Sequence, residues 1–164
     1  MDSTVHTIGA TSDSQCAARL LPLLQTAFGL NNIELRGCAE TQKLLPGLAP
    51  AAEDDWHTEY LAPILSVKIV DGIEEAIAHI NRYGSGHTDG IATQSLNMAR
   101  QFEQQVDSAS VMINASTRLS GGGDYGLGSV VGISTDKLHV RGPVGPDELT
   151  TYKWVAYGDG HLRC

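Results

Sequence analysis

Leu65-Ser66-Val67-Lys68-Ile69-Val70-Asp71-Gly72-Ile73-Glu74-Glu75-Ala76-Ile77-Ala78-His79-Ile80 is the stretch that decides the fold. Leu65 to Val70 is a β-prone run of the length of one strand, and the period then changes from two to 3.6. Asp71 with Glu74 three residues on predicts a capping box, and Ile73, Ala76, Ile77 and Ile80 share one helical face. Gly84-Ser85-Gly86 ends that helix. Gly90-Ile91-Ala92-Thr93 reads as a second strand, Ser95 as the cap of a helix carrying Leu96, Ala99, Phe102 and Val106, and Ser110 to Ile113 as a third strand. Strand, helix, strand, helix, strand within about fifty residues predicts an α/β fold with a parallel, right-handed sheet covered by helices.

Upstream the pattern is shorter. Ser14 to Phe28 places Leu20, Leu23, Leu24, Ala27 and Phe28 at helical spacing, with Cys16 as a partly buried helix residue. Ile33-Glu34-Leu35 alternates like a strand after the Asn31-Asn32 turn, and Glu40 to Leu45 fits one or two helical turns. Pro46 to Trp56, rich in Pro, Ala and Asp, reads as a connecting loop over the surface. At the other end, Leu149 to Tyr157 mixes Thr, Tyr, Trp and Val and reads as a strand.

Composition limits the function classes. The chain has 164 residues, 41% of them hydrophobic, which supports one sizeable core. A net charge of −8 argues against a nucleic-acid or anionic-membrane surface, since either requires concentrated cations. No apolar run is long enough to span a bilayer, and Met1-Asp2-Ser3-Thr4 lacks the features of a signal peptide, so the expected setting is soluble and cytoplasmic. Cys16, Cys38 and Cys164 are odd in number and widely spaced, which fits a reducing compartment with bystander thiols. No metal site is expected, because the six histidines are not paired at ligand spacing.

The functional anchor lies where the third strand ends. Val111-Met112-Ile113 stops at Asn114-Ala115-Ser116-Thr117-Arg118 and opens into Gly121-Gly122-Gly123-Asp124-Tyr125-Gly126-Leu127-Gly128. Hydroxyl, amide and guanidinium groups leaving the carboxyl end of a strand are how open α/β sheets present a ligand site. Arg118 has the geometry to bind an oxyanion bidentately. The bland alternative is a polar strand end whose side chains cap local backbone groups. Gly121, Gly123 and Gly126 satisfy G-x-G-x-x-G, yet Ser129-Val130-Val131-Gly132-Ile133 after them has little helical character, so a dinucleotide fingerprint is not expected. A flexible substrate-side loop is the favoured reading. His87 reads as a turn histidine, and His139 beside Lys137 and Arg141 as a small basic cluster able to hold phosphate or to pair with Asp136.

Several blocks carry a family resemblance. Thr58-Glu59-Tyr60-Leu61, Ile80-Asn81-Arg82-Tyr83-Gly84-Ser85-Gly86-His87-Thr88, Asn114-Ala115-Ser116-Thr117-Arg118, Gly126-Leu127-Gly128, Gly132-Ile133-Ser134-Thr135, Lys137-Leu138-His139, Arg141-Gly142-Pro143 and Glu148-Leu149-Thr150-Thr151-Tyr152-Lys153-Trp154 occur in one order. Together they resemble the C-terminal portion of the γ-glutamyl phosphate reductase family (glutamate-5-semialdehyde dehydrogenases), within the aldehyde dehydrogenase superfamily. Residues 1–55 resemble that family only loosely. The resemblance implies a partial aldehyde-dehydrogenase-like catalytic domain, mostly parallel sheet covered by helices, over residues 1–145. Residues 146–164 would then form a C-terminal oligomerisation strand or arm, making homo-oligomerisation expected.

By the same resemblance, the activity is NADPH-dependent reduction of γ-glutamyl phosphate to glutamate 5-semialdehyde in proline biosynthesis. Asn114, Ser116, Thr117, Arg118, Gly122 and Gly123 are the expected substrate-binding residues. Glu59, followed by Tyr60-Leu61-Ala62-Pro63, is the expected cofactor residue, facing the nicotinamide ribose of NADP(H), a cofactor expected for the full-length enzyme and not expected to bind tightly to this chain alone; its bland alternative is a solvated loop acid. The family's nucleophile is a cysteine thiolate. Aligning the Leu20-Leu21-Pro22 helix puts that cysteine near Thr4, so no catalytic residue is assigned and Cys16, about a dozen residues later, is no substitute. The chain therefore reads as a C-terminal piece, a truncation or a degenerate paralogue, inactive alone; a non-catalytic binding or assembly module is the alternative.

Overall fold

The computed structural model describes residues 6–10 and 14–163; Thr4, where the resemblance places the family's cysteine, and Cys164 lie outside them. Strand β1 is His6–Ala10, helix α1 Ser14–Leu30, β2 Glu34–Gly37, α2 Ala39–Leu44 and β3 Ala49–Pro50. A 3₁₀ turn over Glu53–Trp56 leads to β4, Ile64–Val70, and then to α3, Ile73–Tyr83. Next come β5, Thr88–Ile91, α4, Leu96–Gln105, and β6, Ser110–Ile113. A second 3₁₀ turn, Thr117–Ser120, precedes β7, Gly132–Ser134, and β8, Gly142–Val144.

The fold is α/β with parallel sheets, as expected, but the sheet is divided. β1, β4, β2 and β3 form one parallel sheet in that order, whereas among the described residues β5 and β6 pair only with each other. β4 sits between β1 and β2, with Ser66 opposite both His6 and Arg36. A strand flanked on both sides reads as a continuous apolar run, which is why Leu65–Val70 is so legible. β7 and β8 add an antiparallel pair, Gly132 opposite Val144.

Two apolar clusters support these layers. Ala17 and Leu21 of α1 pack with Leu35, Leu45, Leu65 and Val67 against the first sheet. Ile73, Ile77 and Ile80 of α3 meet Phe102 of α4 and Val106, with Ile91 and Val111 of the smaller sheet against them. Burying each Val, Leu, Ile or Phe among them contributes roughly 1.5–3 kcal/mol. Polar ties add register: the Asn81 carboxamide donates to the Gln105 carbonyl at 2.8 Å and accepts from the Asp107 N–H at 2.9 Å, closing the end of α4 onto α3.

Several local expectations are corrected. The Asp71/Glu74 capping box does not form; Gly72, at φ 95°, caps α3, and Glu75 instead accepts from the Asp71 N–H at 2.8 Å. Ser95 does cap α4, accepting from the Met98 N–H at 3.3 Å. Leu96 is exposed, leaving Ala99 and Phe102 as that helix's buried residues. Cys16 is exposed rather than partly buried. Pro46–Trp56 is no simple surface loop, because its 3₁₀ turn buries Asp55 and Trp56. Leu149–Tyr157 forms no strand within this chain, and Tyr152, Trp154 and Tyr157 are almost fully exposed. A strand needs a ladder partner, and none lies alongside among the described residues.

Candidate active-site cleft

The carboxyl ends of β5 and β6 open into a cleft of about 490 Å³ lined by Gly90, Ile91, Ala92, Asn114, Ala115, Ser116 and Thr117. The ladder continues one step past the strands, since the Asn114 N–H donates to the Ile91 carbonyl at 2.8 Å. Asn114 then turns the chain in the left-handed region, at φ 53°. Among non-glycine residues Asn tolerates this best, because its short amide finds local partners. Here the partner is Thr93: Asn114 Oδ1 accepts from its N–H at 2.8 Å and Nδ2 donates to its carbonyl at 2.9 Å.

Ser116 is likewise partly committed, accepting from the Arg118 N–H at 3.2 Å as the cap of the second 3₁₀ turn. Asn114 and Ser116 thus perform the local capping that the bland alternative anticipated. Thr117 and Arg118 are exposed, and neither side chain has a hydrogen-bond or ion-pair partner among the described residues. Gly90 makes room for this turn, since a Cβ there would lie 3.3 Å from Thr117 Cγ2. From sequence Gly90, Ala92 and Thr93 read only as strand residues; the glycine within a strand was the available signal of their place at the site.

The glycine segment is tied to the rest of the fold by hydrogen bonds. Tyr125 Oη donates to Ser110 Oγ at 2.9 Å, and the Leu127 N–H donates to the Gly122 carbonyl at 2.8 Å. Gly122 is buried, with Val130 Cγ1 only 2.1 Å from where a Cβ would stand, whereas Gly123 faces open space. No helix follows Gly126, so the dinucleotide fingerprint is absent there. The cleft brings together Asn114, Ser116 and Thr117; Arg118, Gly122, Gly123 and Glu59 are outside its lining.

Glu59 occupies an exposed loop before β4 and has no partner among the described residues. Its neighbour Tyr60 is tied inward, donating to Asp55 Oδ1 at 2.6 Å. Asp55 also accepts from Arg36 Nη1 at 2.8 Å and from the Ala52 N–H at 2.7 Å. Burial alone would raise the Asp55 pKa, yet the hydrogen bonds from Tyr60, Ala52 and Arg36 hold it below the ordinary value. Burial and the Asp55 carboxylate together raise that of Tyr60.

The basic cluster is differently composed than expected. Lys137 and Arg141 both pair with Asp107, at 2.5 and 3.0 Å, instead of with Asp136, and His139 is exposed. These two cations lower the Asp107 pKa, Lys137 first. One of their two positive charges is thereby offset. His87 is half-buried, with Nδ1 2.6 Å from Thr88 Oγ1. Among the described residues no cluster of His, Cys, Asp and Glu is placed to hold a metal ion, and no helix is long and apolar enough to cross a membrane.

The chain is similar to known proteins in sequence and fold. The aldehyde dehydrogenase family model matches residues 49–127, which include both Glu59 and the cleft. A crystal structure of gamma-glutamyl phosphate reductase from Thermotoga maritima is 44% identical over 92% of this chain, with a TM-score of 0.86. This chain spans 36% of that structure's length. Gamma-glutamyl phosphate reductase from Saccharomyces cerevisiae is 25% identical, with a TM-score of 0.49, over 73% of this chain and 38% of that one. Over residues 49–127 the chain matches the aldehyde dehydrogenase family, and its α/β architecture closely matches that of a gamma-glutamyl phosphate reductase.

Proposed function

We propose that this chain is the substrate-side segment of an NADPH-dependent oxidoreductase converting γ-glutamyl phosphate to glutamate 5-semialdehyde in proline biosynthesis. The 44% identity to the Thermotoga maritima reductase, extending over 92% of the chain, carries this reading. The donors in the cleft and at Arg118 beside it in sequence support it. Thr117 and Arg118 have donors to spare, and a guanidinium forms charge-assisted, bidentate bonds with a carboxylate or phosphate. Ser116 retains its hydroxyl hydrogen and Asn114 one N–H, so both add short-range donors from a fixed position. Gly122 and Gly123 shape the neighbouring backbone.

Aldehyde dehydrogenases generally use NAD(P), and we assign NADPH here. Glu59 suits the nucleotide: its two carboxylate oxygens face solvent without a partner and accept from paired ribose hydroxyls. When bound, the nucleotide supplies hydride. Residues 1–145 form the partial catalytic domain and 146–164 an arm that joins subunits into a homo-oligomer, through exposed Tyr152, Trp154 and Tyr157. The nucleophilic thiolate is not assigned to any cysteine of this chain, so the chain does not turn over alone.

The test is NADPH oxidation with γ-glutamyl phosphate, alongside NMR titration of the chain with glutamate. We expect no turnover, but glutamate-induced shifts at the Asn114 to Arg118 amides that Arg118→Ala abolishes. Turnover abolished by Cys16→Ser would overturn the absence of a nucleophile. Shifts that ignore the Arg118 substitution would overturn the substrate site.

A further inference from the structure

Glu59 stands between two fixed points. On one side Thr58 Oγ1 donates to the Asp54 carbonyl at 2.7 Å, and on the other Tyr60 Oη is held by Asp55 Oδ1 and Ser66 Oγ, each at 2.6 Å. The anchor reaches across the larger sheet. Ser66 lies in β4, Arg36 opposite it in β2 pairs with Asp55 at 2.8 Å, and the Arg36 guanidinium lies 5.1 Å from the Tyr60 ring centroid. The Pro63 carbonyl, three residues further on, accepts from the Glu34 N–H at 2.8 Å.

Leu61 shows that these anchors act on the loop. It is 76% exposed yet held at φ 48°, a left-handed conformation unusual for a bulky side chain. No burial of its own compensates. Such a conformation persists where surrounding structure over-determines it, and it clusters at ligand clamps. The Glu59 carboxylate between these anchors is exposed and has no partner among the described residues, whereas Arg36 and Asp55 beside it are paired with each other.

We propose that Arg36, Asp55, Tyr60 and Ser66 are positioning residues for Glu59, presetting its carboxylate for the ribose hydroxyls of a nicotinamide nucleotide. This rests on the assignment of Glu59 under the proposed function. The device works by pre-organisation: apparent affinity falls in proportion to the fraction of molecules with the loop in its competent form.

Backbone ¹⁵N relaxation and NADPH titration by NMR on the whole chain test it, with wild type, Tyr60→Phe, Ser66→Ala and Glu59→Gln. Tyr60→Phe keeps the ring and removes only the hydroxyl. It is expected to lower the order parameters of the Glu59 and Leu61 amides from about 0.85 to below about 0.6. It should also raise the NADPH Kd about tenfold, with glutamate-induced shifts at Asn114 to Arg118 unchanged. A merely structural role would leave the nucleotide affinity of the folded protein alone. Ser66→Ala is expected to act in the same direction, which covers a Tyr60 variant that fails to fold. Unchanged loop order and NADPH affinity in both variants, while Glu59→Gln weakens NADPH, would overturn the positioning role and leave the Glu59 assignment standing. NADPH binding indifferent to Glu59→Gln, or undetectable in wild type, would overturn both.

Discussion

Asn114 grips the backbone of Thr93 with both ends of its carboxamide, at 2.8 and 2.9 Å, across the mouth of the cleft. The two residues follow β6 and β5, so this clamp holds together the strand ends that carry the candidate site. Asn114→Ala removes both bonds and leaves alanine at φ 53°. Its exposed position limits the cost to about 1–2 kcal/mol. Urea denaturation measures this, and Asn114→Gly, which relieves the backbone but not the lost bonds, should recover part of it.

Gly122 and Gly123 are adjacent in sequence but opposite in tolerance. Gly122→Ala drives a methyl into Val130, whose branched side chain cannot swing clear, and should cost about 1–3 kcal/mol. Gly123→Ala meets nothing within 4 Å and should change stability by less than about 0.5 kcal/mol. Paired thermal melts decide this. Equal effects would mean that the loop is not packed as described.

Asp55 sets an acid limit on stability. Its folded pKa lies below the unfolded value of about 3.9. The contribution is therefore complete above that value and lost as pH falls through the folded one. Denaturant titrations from pH 6 to pH 3 should show falling stability in wild type. Asp55→Asn should be less stable at pH 6, with a shallower decline, because one proton-linked group is gone.

Cys38 should titrate earlier than an ordinary thiol. Burial alone would raise its pKa, but the Thr41 hydroxyl at 3.2 Å, the Ile69 N–H and the first N–H groups of α2 bring it below the ordinary value. Iodoacetamide labelling, resolved by peptide mass spectrometry, should give Cys38 a pH midpoint below that of the same thiol in the unfolded chain. Thr41→Val should move that midpoint upward.

Legibility followed the range of the interactions. Ile73, Ile77 and Ile80 were readable as a buried stripe because a helix repeats its environment every 3.6 residues. Trp56 was not, because its burial depends on elements distant in sequence and its own segment is rich in Pro and Asp. Asp107 went unnoticed for the same reason: its partners Lys137 and Arg141 are thirty or more residues away. Of the six substrate candidates, composition suggested donors in all four polar ones, but which remain available depends on where Thr93 and the 3₁₀ turn sit.

Sequence alone determined the strand and helix order from Ile64 to Ile113, the polar strand end at Asn114 and the family resemblance. Each is written in local periodicity or residue identity. Only the tertiary structure decided that the parallel strands divide into two sheets, that the glycine segment is pinned through Tyr125 and Val130, and that Asn114 commits its amide oxygen and one N–H to Thr93. A hydrogen-bonding side chain carries the same chemistry wherever it lies; what it binds is settled by the backbone that folding brings within about 3 Å.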